Sequence, residues 1–124
     1  MEFRDNQAVY LQIVDYVCEQ ILFKNWKTEE KILSIRDLAI ELQVTPNTVQ
    51  RSYDFIQQLD IISNQRGVGF FVEKDAIKKI LTYKKDQFVS KELPIFFKNL
   101  HLLKIDLKEI ESLYNSYMKS ISKK

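Results

Sequence analysis

The sequence predicts a mainly α-helical fold with one small β-hairpin, divided into a domain over residues 1–73 and a helical tail over residues 74–124. Three observations carry this expectation. Apolar residues recur at helical spacing along most of the chain, beginning with Val9, Ile13, Val17 and Ile21. Only two Gly and two Pro occur in 124 residues, which leaves too few turns for an all-β fold. Both glycines fall in Arg66-Gly67-Val68-Gly69, between β-prone runs at 61–65 and 70–73, and supply the positive φ angles of one tight hairpin.

The composition bounds the rest. At 45% apolar and 29% charged residues the chain can bury a core and keep a charged surface. No stretch of about eighteen apolar residues is present, so no membrane span is expected. Residues 1–6 lack the basic and apolar regions of a signal peptide, and a lone Cys18 fits a reducing compartment. A cytoplasmic location follows as the expectation. One His (His101) and one Cys leave no thiol–imidazole pair and no Cys/His metal set. Gly67-Val68-Gly69 lacks the third glycine and the following helix of a phosphate-cradling loop. No enzyme, metal or cofactor is expected. The net charge of +2 conceals an asymmetry. Residues 1–73 hold 7 Lys and Arg against 11 Asp and Glu (net −4); residues 74–124 hold 12 against 6 (net +6).

The first helix is expected over residues 8–24, its stripe widened by Tyr10, Val14 and Tyr16, with Cys18 as a small core hydrophobe. Residues 25–30 form a polar turn anchored by Trp26. Ser34 and Asp37 then make a capping-box-like start to a short helix whose apolar face is Ile35, Leu38, Ala39 and Leu42. After Gln43-Val44, Thr45 can cap a second helix and Pro46 suits its first position, since the missing N–H would be unpaired there. This helix can run to about Asp60. On a helical wheel Val49, Ser52, Tyr53, Ile56 and Leu59 face one way, and Asn47, Gln50, Arg51 and Asp54 the other. The outward set is rich in groups that hydrogen-bond base edges and phosphates.

Two short helices joined by about three residues, the second with such a face, make a helix-turn-helix. A hairpin directly after it, with Arg66 at its tip, is a wing. The fold class is thus a winged helix-turn-helix domain followed by a short α-helical dimerisation tail. Arg36, in the first turn of the first of the two helices, either reaches DNA or forms a surface salt bridge.

The tail is helical and basic. Ile77, Ile80, Leu81 and Phe88 mark a helix from near Asp75, and at Pro94 this helix either kinks or gives way to a new one near Lys91. Asp106 with Glu109 cap a last helix, with Ile105 and Ile110 at the spacing of a hydrophobic staple. Within it Leu107, Ile110, Tyr114, Tyr117 and Ile121 repeat at spacings of three and four, a helix–helix seam. Some fifty residues cannot bury all this apolar surface alone. A second copy would cover it as a twofold dimer; folding back onto the first domain is the other reading.

Three blocks now resemble the GntR family of bacterial transcription regulators, in its short YtrA-like form. The family pattern runs L-P-S-x-R-(E/D)-L-A, then V-(N/S/T)-x-N-T-V-x-(R/K), then R-(R/G)-G-x-G-(T/F/Y)-F-V. Here the blocks are Ile32-Leu33-Ser34-Ile35-Arg36-Asp37-Leu38-Ala39, Val44-Thr45-Pro46-Asn47-Thr48-Val49-Gln50-Arg51 and Gln65-Arg66-Gly67-Val68-Gly69-Phe70-Phe71-Val72. Leu33 stands in place of Pro, Thr28-Glu29-Glu30 in place of a Pro-Gly-Asp turn, Asp60 in place of Gly, and Val68 in place of a basic wing-tip residue. The resemblance implies contacts to a double-stranded DNA operator from Arg36, Thr45, Asn47, Thr48, Gln50 and Arg51, with Arg66 and Gly67 from the wing. It also implies a homodimer acting as a repressor, in a setting similar to regulators beside transporter genes, and names no small-molecule effector. The acidic first domain favours one alternative, a winged-helix module that binds proteins and not DNA.

Overall fold

The four-residue apolar repeat of the first segment becomes helix α1 (Val9–Leu22) in the computed structural model, which describes residues 2–4 and 7–122. Met1, Asp5, Asn6 and the last two lysines, which enter the readings of the N-terminus and of the tail's charge, lie outside the described residues. Helices α2 (Ile35–Leu42) and α3 (Pro46–Gln58) follow, then strands β1 (Ile62–Gln65) and β2 (Gly69–Val72). After the hairpin come α4 (Ala76–Gln87), a π-helical turn (Phe88–Glu92), α5 (Leu93–Leu103) and α6 (Leu107–Ser122). By its contacts the chain divides into two units, one running to Lys84 and the other beginning at Lys85.

The first unit is built around one apolar core. Ile13, Val14, Val17 and Ile21 of α1 are buried with Leu38 and Leu42 of α2 and with Val49, Tyr53 and Ile56 of α3. Ile61, Ile62 and Val72 seal it from the hairpin, and Ala76 and Ile80 from α4. Fully burying side chains of this size stabilises by about 1.5–3 kcal/mol each before entropy is counted. Trp26 is half-buried against this core and meets Tyr16 edge-on, ring centroids 6.4 Å apart.

One element was not legible in the sequence. The expected polar turn over residues 25–30 leads into an isolated β-bridge, Lys31 opposite Phe71, through which the connector docks on β2. Glu29 N–H donates to the Val72 carbonyl at 2.8 Å, Val72 N–H to that of Glu30 at 3.1 Å, and Ile32 N–H to that of Phe70 at 2.9 Å. Glu29-Glu30-Lys31 is too polar and charged to suggest any β pairing, and Glu29 itself stays in a turn at φ 65°; only the hydrogen bonds to β2 reveal the docking.

Of the two readings at Pro94, the new helix near Lys91 is the one found: α5 begins at Leu93, preceded by the π-helical turn. The backbone stays right-handed at Gln87, Glu92 and Leu93, and the Leu93 N–H reaches back five residues to the Phe88 carbonyl. This wider turn lets α5 begin at Leu93 with Pro94 among its first residues, the part of a helix that tolerates proline. Lys104, at φ 56°, ends α5, and the Glu109 N–H donates to the Asp106 carboxylate at 3.0 Å to start α6. No described residue of the second unit is buried, and Leu107, Tyr114 and Tyr117 are 73%, 59% and 62% exposed.

Cys18 is fully buried, and this desolvation pushes its thiol up from 9.0 to about 12. Because the folded value lies above the unfolded one, this contribution to stability is intact below pH 9 and is lost as pH rises toward 12. Urea midpoints should therefore fall between about pH 8 and pH 10.5, and fall less in Cys18→Ala. Buried Tyr53, raised for the same reason, contributes a decline of the same sign to both proteins.

Candidate nucleic-acid interface

Helix α3 has two chemically opposed sides. Val49, Ser52, Tyr53 and Ile56 are buried, whereas Asn47, Gln50, Arg51 and Asp54 are exposed. Its start is built as its residues dictate. Thr45 is extended (φ −74°, ψ 147°), its Oγ1 accepts the Thr48 N–H at 3.4 Å, and Pro46 follows in the first turn. The Thr45 and Thr48 hydroxyls are 2.8 Å apart, so one donates to the other.

The turn ahead of α3 depends on Gln43. At φ 58° it occupies the left-handed region, and Val44 N–H closes the end of α2 on the Ala39 carbonyl at 3.0 Å. Ser34 caps the other end of α2 by accepting the Asp37 N–H at 3.1 Å, which sets Arg36 exposed in the first turn. Tyr53 then ties α3 to both neighbours. Its hydroxyl donates to the Leu33 carbonyl at 2.7 Å, and its ring packs edge-on against Phe70 of the wing, centroids 4.8 Å apart.

The wing is a three-residue loop. Gln65 pairs with Gly69, Val68 N–H donates to the Gln65 carbonyl at 2.9 Å, and Gly67 has φ 79°. Arg66 is exposed at the tip. Gly69, at φ 141°, lies under the Lys31 side chain: a Cβ there would stand 2.7 Å from Lys31 Cε.

The sequence-predicted residues are thus distributed over three elements. Asn47, Thr48 and Arg51 share a shallow cavity of about 340 Å³ with Ala8, Val9 and Tyr10 at the start of α1. Gln50 is held differently, its Nε2 donating to Asp54 Oδ1 at 2.8 Å. Arg36 stands on α2 and Arg66 and Gly67 on the wing. Two residues beside these were missed: Tyr10, whose ring lies under the Arg51 guanidinium, and Lys31 beside Gly69. Tyr10 is 41 positions from Arg51 and Lys31 is 38 from Gly69, so no local spacing links either pair.

Local charge does not follow the net −4 of residues 1–73. Among the described residues, ion pairs join Lys79 to Asp60 and Asp75, and Lys84 to Asp15. Arg36, Arg51 and Arg66 have no carboxylate partner among the described residues, so three guanidinium groups remain available to an anion.

No family model matches the chain. A crystal structure of a GntR-family transcriptional regulator from Bacteroides thetaiotaomicron is 40% identical, superimposes with a TM-score of 0.82, and is matched over 91% of this chain and 98% of its own. The chain belongs to the GntR family. Among curated relatives of this GntR regulator, YhcF of Bacillus subtilis, an HTH-type transcriptional regulator, is 31% identical over 88% of each chain. The HTH-type transcriptional repressor YtrA of the same organism is 27% identical over 96% of this chain and 88% of its own. The winged helix-turn-helix is therefore that of a DNA-binding transcriptional regulator of the GntR family, a class that does not catalyse reactions. Among its described residues no helix is long and apolar enough to cross a membrane.

Thr45 is exposed and its main structural task is the cap. Thr45→Ala should lower stability by about 1 kcal/mol, read as a shifted urea midpoint at unchanged slope.

Proposed function

We propose that the protein is a homodimeric repressor that binds a pseudo-palindromic operator whose half-sites lie about one helical turn apart. The observation that carries this reading is the exposed face of α3, where Asn47, Gln50 and Arg51 stand opposite a fully buried side. Asn47 or Gln50 can pair bidentately with adenine, and Arg36 with guanine. The Thr45 and Thr48 hydroxyls, at a helix N-terminus, suit phosphate, as does Arg51. Arg66, and the close backbone approach that Gly67 permits, extend the contact from the wing into an adjacent minor groove. Occupying a promoter in this way excludes polymerase. A repressing sign is in keeping with the name of the YtrA relative, and the genes controlled would include those of a transporter. The protein would act in the cytoplasm, on the nucleoid.

The tail supports the dimer. Leu107, Ile110, Tyr114, Tyr117 and Ile121 form one seam of α6, and all but Ile110 are exposed. An apolar patch of this extent marks an interaction surface, and a second copy covers it with the symmetry that a palindromic site requires. The functional division into a DNA-binding part over residues 1–73 and a dimerisation tail over 74–124 belongs to this proposal.

Two experiments test it. Genome-wide selection of fragments by the purified protein should return a shared inverted repeat, its affinity falling with salt. Arg36→Ala should then weaken the best site by about 1–3 kcal/mol and relax its specificity. No enrichment, or binding independent of salt, would refute the operator. The second is light scattering, which should give a dimer mass for the wild type and a monomer for Tyr117→Glu, with operator affinity reduced at least about tenfold. A monomeric wild type that binds the repeat with full affinity would overturn the dimer.

A further inference from the structure

Helix α1 reads as a core helix, yet its first turn reaches the exposed side of α3. The Arg51 guanidinium carbon lies 3.8 Å from the centroid of the Tyr10 ring. Tyr10 is itself held from more than one direction. Its carbonyl accepts the hydroxyl of fully buried Ser52 at 2.8 Å. Its ring meets Phe55 edge-on with centroids 6.4 Å apart, and Phe55 meets Tyr83 at 5.8 Å. Phe55 and Tyr83 pack against the core. The ring under Arg51 is therefore a fixed platform and not a mobile surface group.

A long Arg side chain in solution samples many rotamers and surrenders that freedom when it binds. A guanidinium stacked on an aromatic face has surrendered much of it already, while its N–H donors, which lie in its plane at the edge, stay free. No carboxylate among the described residues engages them. Such a preset donor fork can meet two acceptors on DNA with little further ordering. Gln50, by comparison, is oriented by Asp54 on its own helix; the orientation of Arg51 comes from a different helix.

We propose that Tyr10 is a positioning residue for DNA binding, its ring holding the Arg51 guanidinium in the orientation in which it meets the operator. The inference rests on the reading in which the exposed face of α3 contacts DNA. It adds to that reading a requirement for an aromatic ring at position 10.

The test compares full-length wild type, Tyr10→Phe, Tyr10→Leu, Arg51→Ala and the double variant Tyr10→Leu/Arg51→Ala on the best genomic fragment, by fluorescence anisotropy. Tyr10→Phe keeps the ring and should bind within about twofold of wild type. Tyr10→Leu should bind about two- to fivefold more weakly, the range of an exposed cation–π contact. In the Arg51→Ala background the same change should have no effect, because the platform then has nothing to hold. An equal loss in both backgrounds would make Tyr10 a packing residue only and overturn the proposal. So would unchanged binding by Tyr10→Leu. Wild-type affinity in Arg51→Ala would remove Arg51 from the interface, and the proposal with it. No binding by the wild type to any fragment would refute the operator reading itself, a result distinct from all of these. If Tyr10→Leu does not fold by circular dichroism, Tyr10→Met supplies the same comparison with a flexible side chain.

Discussion

The first unit depends on the way Tyr53 is buried. One fully buried ring, on the inner side of α3, ties down the residue that leads into α2 and the strand that carries the wing. The hydroxyl–carbonyl bond to Leu33 contributes about 0.5–1.5 kcal/mol, and the edge-on pair with Phe70 a similar amount beyond its buried area. Their larger consequence is geometric. The exposed side of a helix can act together with its neighbours only if the helix before it and the wing after it are held in place. The same side chain that anchors α3 in the core sets its attachment to both.

The exposed side of α3 follows from that anchoring. Once Val49, Ser52, Tyr53 and Ile56 are committed to the core, helical geometry places Asn47, Gln50 and Arg51 outward, whatever their own preferences. Their environments then differ. Gln50 leans on Asp54 within the helix, Arg51 lies on the Tyr10 ring, and Thr48 shares a hydrogen bond with the capping Thr45. The acidic balance of residues 1–73 is compatible with this surface because its carboxylates do not pair with the three arginines. Asp15 and Asp60 pair instead with lysines of α4.

The second unit shows the opposite economy. Its helices carry apolar residues at regular spacing, yet none of its described residues is buried. Leu107, Tyr114, Tyr117 and Ile121 stay exposed because a unit of about forty residues is too small to close a core of its own. The π-helical turn ahead of Pro94 keeps the backbone right-handed from Gln87 into α5 despite the proline.

Much of this was legible in the sequence, and the reason is local. Caps, helical spacing and the Gly67/Gly69 hairpin act over a few residues, so Thr45, Pro46, Ser34, Asp106 and the two-sided pattern of α3 determined their elements unaided. The three family blocks marked the winged helix-turn-helix in the same way, since each is a short run with its own mechanics. What only the tertiary structure decided lies between residues far apart in the chain. The pairing of residues 29–32 with β2, the passage of Lys31 over Gly69 and the stacking of Arg51 on Tyr10 have no periodicity to betray them. Polar and aromatic side chains such as these are tolerated in many surroundings, and only the packing of α1 against α3 and of the connector against the wing selects the one they occupy.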